Sequence, residues 1–235
     1  MSKSNNIKIV GHRGAAGLAA ENSIESILTA MNLGVDCIEI DVWKTIDNEV
    51  IVFHDAYLDR LTNMSGFVSE MDYATLKKAN LKNNEHIPTL KEVTKVVKGK
   101  NVQLLIEIKS EETFEPTLKI LLEELPLSQF IIGSFFHKDI KSLKENNPKI
   151  QTSIMFESVP ILLDDYLSTV NPDYVTISIE TYNKYLLDTI KKQNRKLVFY
   201  TINIEPEIKL AFDALPYAIV TNFPNLFIKK TNLNF

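Results

Sequence analysis

Short apolar runs alternate with amphipathic stretches along this chain of 235 residues. The apolar runs are rich in Ile, Val, Leu and Phe, which favours β-strands, and the stretches between them have helical spacing. The pattern predicts eight main strands, at Lys8–Gly11, Asp36–Val42, Val102–Lys109, Phe130–Ser134, Gln151–Met155, Tyr174–Ile177, Leu197–Thr201 and Ala218–Thr221. It predicts helices near Ser23–Leu33, Leu90–Val97, Glu112–Leu125, Lys138–Glu145, Ile161–Ser168, Lys184–Gln193 and Glu205–Leu215, with a short helix after Pro224.

The order of these elements predicts the fold class. Strands that alternate with helices indicate parallel βαβ units. Eight such units in a chain of this length favour an α/β fold of the TIM type, a (β/α)8 barrel, over an open doubly wound sheet. No G-x-G-x-x-G fingerprint supports a dinucleotide-binding fold. Because no Gly/Ser-rich or Pro-rich linker interrupts the chain, we predict a single domain over residues 1–235.

The alternation breaks after the second predicted barrel strand. The run Glu49–Phe53 predicts an extra strand, joined to the strand before it through the turn-forming pair Asp47-Asn48. Residues 56–88 then form a polar excursion with one predicted helix, Asp72–Ala79. We interpret this segment as a hairpin and a small insertion on the rim of the barrel.

Composition and charge exclude some partners. The net charge is −4, from 26 basic and 30 acidic residues that are interspersed, so a nucleic-acid partner is not expected. No apolar run reaches the ~18 residues of a membrane helix, and the N-terminus lacks the apolar region of a signal peptide. The single cysteine, Cys37, is expected to be a small buried hydrophobe. These features predict a cytoplasmic protein without stable membrane insertion, and they carry no signal for its oligomeric state.

Carboxylates occupy strand positions where apolar residues are expected. Glu39 and Asp41 point to the same face of their predicted strand, and Glu107 lies near the end of the next barrel strand. A structural role is the alternative to a functional site. Glu39 and Asp41 would then form the acidic, solvent-facing side of an edge strand, and Glu107 would form a salt bridge between neighbouring strands that involves Lys109. In a parallel barrel, however, all of these residues converge at the C-terminal rim, where active sites are built. Three carboxylates without a thiolate suit one divalent cation, Mg²⁺ or Ca²⁺, better than zinc.

Two of the four histidines also end apolar strands. His12 and His54 are expected at the same rim, where a histidine can transfer a proton near neutral pH. Arg13 follows His12 and can bind a phosphate with its planar set of donors. His86 and His137 are expected to be exposed or to cap helices.

Other residues are expected to be structural. Asp55, Asp59 and Arg60 are expected to form an ion network that fixes a loop. The phenylalanines at or near strand ends are interpreted as barrel packing, at Phe53, Phe130, Phe135 and Phe156. The sequence indicates no exposed aromatic cluster, which speaks against a lipid substrate.

Several of these stretches together resemble the glycerophosphodiester phosphodiesterase family. They are GHRGAAGLAAENSIES, GVDCIEIDVWKTIDNEVIVFHDAYLDRLTN, IPTLKEV, LLIEIKS and IVTNFP, which span nearly the whole chain. The resemblance implies a TIM barrel with an insertion after the second strand, and hydrolysis of a small-molecule glycerophosphodiester to sn-glycerol 3-phosphate and an alcohol. It also implies a role for each candidate residue: a divalent cation held by Glu39, Asp41 and Glu107, His12 and His54 as the general acid/base pair, and Arg13 and Lys109 on the phosphate.

The chain departs from the family pattern at three places. Ala20 stands where the family usually has Pro, Tyr200 replaces a common Trp, and residues 217–224 read YAIVTNFP where D-G-x-x-T-D-x-P is usual. The last two departures lie near the rim and leave the alcohol of the substrate open. Which histidine is the acid is also open, as is whether water or the glycerol 2-hydroxyl attacks. The rival functions are a related barrel phosphodiesterase that acts on a lysophospholipid, and a protein that binds a glycerophospho group without catalysis.

Overall fold

The fold alternates strands and helices throughout residues 7–81 and 84–227, which the computed structural model describes. The strands are β1 (Lys8–Gly11), β2 (Cys37–Lys44), β3 (Val50–Val52), β4 (Gln103–Ile108), β5 (Phe130–Ser134), β6 (Gln151–Phe156), β7 (Tyr174–Ser178), β8 (Lys196–Tyr200) and β9 (Ala218–Thr221). The helices are α1 (Ile24–Leu33), α2 (Tyr73–Leu76), α3 (Leu90–Val97), α4 (Phe114–Glu124), α5 (His137–Asn146), α6 (Leu163–Val170), α7 (Lys184–Lys192) and α8 (Glu205–Ala214). Residues 225–227 are also helical, as predicted after Pro224.

Eight of the strands close into a parallel barrel. They follow the order β1-β9-β8-β7-β6-β5-β4-β2, and β1 pairs with β2 to complete the ring. The ninth strand, β3, pairs with β2 in the antiparallel direction. The predicted TIM barrel and its extra strand after the second barrel strand are therefore confirmed.

The interior of the barrel is apolar below its C-terminal rim. Successive strand residues alternate between the interior and the helices, so every second residue points inward. The inward apolar cluster consists of Val10, Cys37, Leu105, Ile131, Met155, Tyr174, Val198, Ala218 and Val220. Cys37 is buried in this cluster, as predicted. The same alternation brings Glu39, Asp41 and Glu107 inward above it, which concentrates the charge at the C-terminal end.

The insertion has an apolar core of its own against the outside of β3. This core contains Ile51, Phe53, Leu58, Val68, Leu76, Ala79, Leu81 and Ile87. The helix predicted at Asp72–Ala79 is shorter than expected. Asp72 caps it by accepting a hydrogen bond from the Thr75 amide at 2.7 Å. The chain then changes to tighter turns, in which the Ala79 amide donates to the Leu76 carbonyl at 3.0 Å, and these turns direct Ala79 into the apolar core.

The barrel helices are short and are delimited by local signals. Ser23 caps α1, and Gly34 ends it with a φ of 80°. Thr89 and Glu92 form the predicted capping box at the start of α3. Among residues 7–81 and 84–227, no helix has the length and apolar composition needed to cross a bilayer.

Candidate active site

The seven residues predicted for the site gather at the C-terminal rim of the barrel. A cavity of about 400 Å³ opens there, and its lining includes His12, Arg13, Glu39, His54, Glu107 and Lys109. Asp41 is buried and joins this group through ion pairs. A larger cavity, of about 1030 Å³, lies at the opposite end of the barrel, and none of the seven residues lines it. The larger cavity is therefore remote from the predicted chemistry.

Three carboxylates meet because of the strand register. Asp41 on β2 is paired with Glu107 on β4, and Glu39 lies two residues before Asp41 on the same inward face. One oxygen from each of the three lies within 4.8 Å of the others. Burial, together with the neighbouring carboxylates, raises the pKa of Glu39 well above its usual value and that of Glu107 to about 7.

The carboxylate cluster fits a hard divalent cation. Glu39 Oε2 accepts the Arg13 backbone amide at 2.9 Å, but the buried Glu39 Oε1 has no hydrogen-bond partner in the described part of the chain. An unpaired buried carboxylate oxygen is unfavourable unless a cation or a proton compensates it. An oxygen-only set of ligands is typical of Mg²⁺ and Ca²⁺. The residues present therefore suit the cation that the sequence predicts.

Asp41 is the most heavily compensated of the three carboxylates. Lys109 Nζ lies 2.8 Å from one of its oxygens, and Asn22 Nδ2 donates to the other at 2.8 Å. Arg13 Nε lies 3.3 Å from the same second oxygen, within ion-pair distance but without hydrogen-bond alignment. Although burial acts in the opposite direction, Lys109 and Arg13 lower the pKa of Asp41. Lys109 also donates to Glu107, so this lysine joins two of the carboxylates.

The turn after β1 orients Arg13. This residue has a φ of 49°, an uncommon value for a residue with a side chain, and Gly14 follows with a φ of 85°. A Cβ on Gly14 would lie 2.3 Å from Ser26 Oγ, so the close contact with α1 also requires glycine here. Arg13 Nη1 donates to Glu21 at 2.5 Å. The turn thus keeps the guanidinium beside the carboxylates.

His12 faces the cavity with one nitrogen and the barrel wall with the other. Its Nδ1 lies 2.6 Å from Asn222 Oδ1, and because an amide oxygen only accepts, Nδ1 carries the proton. Its Nε2 lies 3.8 Å from Glu39 Oε2. Burial, followed by the charge of Arg13, lowers the pKa of His12 to about 4. The ring is therefore neutral near pH 7, with the lone pair on Nε2.

His54 is held by a chain of ion pairs. Its Nδ1 lies 2.6 Å from Asp55 Oδ1, and Arg60 binds both oxygens of Asp55, at 2.6 and 2.9 Å. Arg60 also donates to Glu21 at 2.9 Å, and Glu21 in turn accepts from Arg13. The loops that carry the two histidines are thereby connected. The pKa of His54 is lowered mainly by burial, whereas the charge of Asp41 and the hydrogen bond to Asp55 act in the opposite direction.

Two expectations about structural residues are wrong in part. Asp55 and Arg60 form the predicted ion network, but Asp59 instead accepts the Gly66 amide at 3.3 Å. His86 pairs with Glu92 at 3.2 Å, away from the cavity. His137 neither is exposed nor caps a helix with its side chain. It begins α5, with Nδ1 2.7 Å from the Tyr166 hydroxyl and Nε2 2.7 Å from the Met155 carbonyl, because its ring packs between neighbouring elements.

The cavity has an aromatic wall that the sequence did not predict. Phe135, expected in the barrel packing, is 41% exposed, and Phe136 beside it is 37% exposed. Both line the cavity together with Glu157 and Tyr200. Phe135 lies one residue beyond β5 and continues the inward alternation past the end of the strand, which is why it leaves the core. The expectation that the chain exposes no aromatic cluster is thus wrong at this rim.

Two asparagines of the site were also not predicted as functional residues. Asn22 contacts Asp41, and Asn222 contacts His12. Asn22 lies within the stretch GHRGAAGLAAENSIES, where the sequence indicated only a helix start. Asn222 occupies a position at which the chain departs from the resembled family. The only sequence signal for either residue was its membership of these motifs.

Comparisons with known proteins agree with this geometry. The model of the glycerophosphoryl diester phosphodiesterase family matches residues 12–226. A glycerophosphodiester phosphodiesterase of Bacillus subtilis is 30% identical, over 95% of this chain and 86% of that protein. One from Caldanaerobacter subterraneus is 29% identical, over 94% of this chain and 96% of that protein.

A solved structure also shares this fold. A phosphodiesterase of Oleispira antarctica, solved in complex with the product sn-glycerol-3-phosphate, has a TM-score of 0.90 and 25% identity. The match covers 96% of this chain and 97% of that one. From the family match, the relatives and the shared fold, it follows that this chain belongs to the glycerophosphoryl diester phosphodiesterase family.

Proposed function

We propose that this chain hydrolyses glycerophosphodiesters to sn-glycerol 3-phosphate and an alcohol, with His12 and His54 as its proton-transfer groups. The observation that carries the proposal is that both histidines line one cavity with Glu39, Glu107 and Lys109. The similar Oleispira antarctica enzyme, which was solved with sn-glycerol-3-phosphate, supports the same product here. We propose the activity for a single domain, since the closed barrel draws its strands from residues 8–221.

Glu39, Asp41 and Glu107 would hold the divalent cation. A bound Mg²⁺ or Ca²⁺ would supply positive charge for the phosphate oxygens, whose negative charge grows during the reaction. Glu39 supports this assignment most directly, because its Oε1 has no partner among the described residues. The chemistry of the ligands does not distinguish Mg²⁺ from Ca²⁺.

Arg13 and Lys109 are proposed to bind the phosphate. Their side chains are only 15% and 14% exposed, and both line the cavity. An ammonium group has three protons, and two of them on Lys109 face Asp41 and Glu107. The third proton remains for a substrate oxygen. Because these cations are already fixed by carboxylates, little reorganisation is needed when negative charge develops.

The hydrogen bonds of the two histidines favour different roles. His12 donates from Nδ1 to the neutral amide of Asn222, which leaves its Nε2 free to accept a proton from the attacking hydroxyl. His54 faces the carboxylate of Asp55, and this negative charge stabilises a protonated ring. We therefore assign the general base to His12 and the general acid, which protonates the leaving oxygen, to His54.

The test is the release of sn-glycerol 3-phosphate from glycerophosphocholine, measured with added Mg²⁺ or Ca²⁺ and after chelation. We expect His12→Ala and His54→Ala each to lower kcat by ~10²–10⁴-fold, the usual contribution of an acid or base. His86→Ala is the matched control, because His86 pairs with Glu92 away from the cavity. Normal turnover by either site variant, or activity that is indifferent to chelation, would contradict the proposal.

Two further measurements distinguish the remaining alternatives. A substrate that lacks the glycerol 2-hydroxyl separates direct attack by water from internal attack, since undiminished turnover excludes the internal route. Saturable binding of glycerophosphocholine without product release would instead identify a protein that only binds the glycerophospho group.

A further inference from the structure

The cavity is polarised across the barrel. The cations and carboxylates proposed for the phosphate lie on or beside β1, β2 and β4, on one side. The other side is formed at the C-terminal ends of β5, β6 and β8, and it presents Phe135, Glu157 and Tyr200. A diester bound with its phosphate on the charged side would direct one of its two alcohols toward this second wall.

Glu157 reaches the cavity by the same alternation that builds the rest of the site. On β6, Ser153 and Met155 point into the barrel, and Met155 belongs to the apolar interior. Glu157 follows two residues later, directly beyond the end of the strand, and it lines the cavity. The position is therefore fixed by the strand and not by a long loop.

Glu157 has no ion-pair or hydrogen-bond partner among residues 7–81 and 84–227, in contrast to the carboxylates across the cavity. Glu39, Asp41 and Glu107 face Arg13 and Lys109, and the proposed cation binds among them. Tyr200 cannot compensate the charge of Glu157, since its hydroxyl donates to the Phe156 carbonyl at 2.9 Å. The second wall therefore carries one uncompensated negative charge beside aromatic rings.

We propose that Glu157, Phe135 and Tyr200 form a subsite for a leaving alcohol that carries an ammonium group. This inference rests on the proposed function and concerns its substrate class. A carboxylate beside aromatic faces recognises quaternary ammonium groups through charge and through the quadrupole of the rings. Phe135 is 41% exposed, so an occupant of the subsite also covers apolar surface that otherwise faces water. The chain is thus selective for diesters of cationic alcohols, such as choline, over diesters of neutral alcohols.

The experiment compares two substrates that differ in one charge. The first is glycerophosphocholine, and the second is its neutral analogue, in which 3,3-dimethylbutanol replaces choline. Both release sn-glycerol 3-phosphate, which is the quantity measured. We expect kcat/KM to be roughly ten- to thirty-fold higher for glycerophosphocholine, as expected for one ion pair with a ring contact.

Variants test the residues. Glu157→Gln should reduce the ratio of the two kcat/KM values to about two or less. Phe135→Leu should reduce the ratio several-fold, whereas Phe135→Tyr, which keeps an aromatic ring, should retain the wild-type ratio. Glu180→Gln is the matched control, since Glu180 is exposed just after β7 but does not line the cavity. Free choline should inhibit competitively, and Glu157→Gln should weaken this inhibition about tenfold.

The outcomes separate the two proposals. If the chain hydrolyses both substrates with equal kcat/KM, or if Glu157→Gln keeps the wild-type ratio, the ammonium subsite is wrong and the proposed function stands. If neither substrate releases sn-glycerol 3-phosphate, both proposals fail. Lysophosphatidylcholine carries the same headgroup on an acylated glycerol, so its hydrolysis releases choline and an acylated glycerol phosphate. It is assayed below its micelle concentration, and its kcat/KM and that of glycerophosphocholine are both measured by the choline released. A higher kcat/KM for it than for glycerophosphocholine identifies a lipid as the source of the headgroup, and a lower one identifies the water-soluble diester.

Discussion

Binding of the cation should be coupled to the release of protons from the carboxylate cluster. Burial raises the pKa of Glu107 to about 7, and it also raises the pKa of Glu39. Both carboxyls must be ionised to bind a metal, so protons compete with the cation. The affinity for Ca²⁺ or Mg²⁺ should therefore fall as the pH is lowered through 7.

The magnitude follows from the pKa of Glu107. A group with a pKa of about 7 is roughly nine-tenths protonated at pH 6 and one-tenth protonated at pH 8, which alone weakens binding about tenfold between pH 8 and pH 6. Glu39 adds to the effect, because its pKa is raised for the same reason. Asp41 does not, because Lys109 and Arg13 lower its pKa.

Isothermal titration at pH 6, 7 and 8, in buffers of different ionisation heat, measures the affinity and counts the protons released. Glu107→Gln should bind the cation more weakly, with a smaller dependence on pH. Glu111→Gln changes an exposed carboxyl just beyond the same strand and should behave as the wild type. An affinity for the cation that is equal at pH 6 and pH 8 would refute the reasoning.

The same pKa predicts a stability effect in the metal-free protein. Between pH 4.5 and 7 the folded state binds more protons at Glu107 than the unfolded state does, so the contribution of this group to stability falls as the pH rises and stays low above pH 7. The change is on the order of 3 kcal/mol for the shift from 4.5 to about 7. The lowered pKa values of His12 and His54 act on stability in the opposite direction. Because these histidines are present in both proteins, their contribution cancels when the wild type is compared with Glu107→Gln. Denaturant unfolding should therefore show the variant gaining stability relative to the wild type between pH 5 and pH 8. A constant difference between the two proteins would contradict the assigned pKa.

Three further substitutions test other contacts of the site. Asp55→Asn removes the charge that faces His54, and we expect kcat to fall roughly 10–100-fold. The alkaline limb of the kcat profile should move to lower pH, because the protonated ring of His54 is less stable without this charge. An unchanged profile would exclude the role of Asp55 in positioning and charging the ring. Asn222→Asp places a carboxylate 2.6 Å from Nδ1 of His12 and should raise the pKa of this histidine. The acid limb of the kcat profile should therefore move to higher pH, by about one unit or more. A shift in the opposite direction would argue against His12 as the base. Gly14→Ala introduces a Cβ at a residue with a φ of 85° and in close contact with α1. It should lower the free energy of unfolding by ~1–3 kcal/mol, measured in denaturant. An unchanged free energy of unfolding would contradict the close packing of this turn.

The fold and the charged half of the site could be predicted because both rest on alternation within strands. Glu39 and Asp41 were predicted to share a face, and the register of β2 with β4 confirms that they meet Glu107. Strand and helix positions were predicted closely, but their ends were not, since ends depend on local turns. The helix of the insertion does not extend to Ala79, because the Lys78 and Ala79 amides bond three residues back instead of four.

The residues that the sequence missed lie just beyond the ends of strands or in turns. Asn222 follows β9, and its side chain reaches His12 because its own amide is held by Asn203 Oδ1 at 2.9 Å. Phe135 and Glu157 follow β5 and β6, where the alternation continues although the strand hydrogen bonds have ended. Neither an asparagine nor an exposed glutamate is unusual in a loop, so neither residue type indicated a function.

The two walls of the cavity therefore differ in how much the sequence indicates about them. A carboxylate on a buried strand loses its hydration, and the chain can keep it there only with a compensating cation or proton, so its presence in an apolar run already implies a partner. Glu157 remains exposed to solvent and incurs no such cost, which is why its presence implies nothing until the structure places it across the cavity from the proposed phosphate site. The type of reaction is consequently indicated by buried carboxylates, whose burial is unfavourable unless a cation or a proton compensates them. The proposed preference for a cationic alcohol depends on residues that are stable without any partner, and only their position across the cavity indicates what they bind.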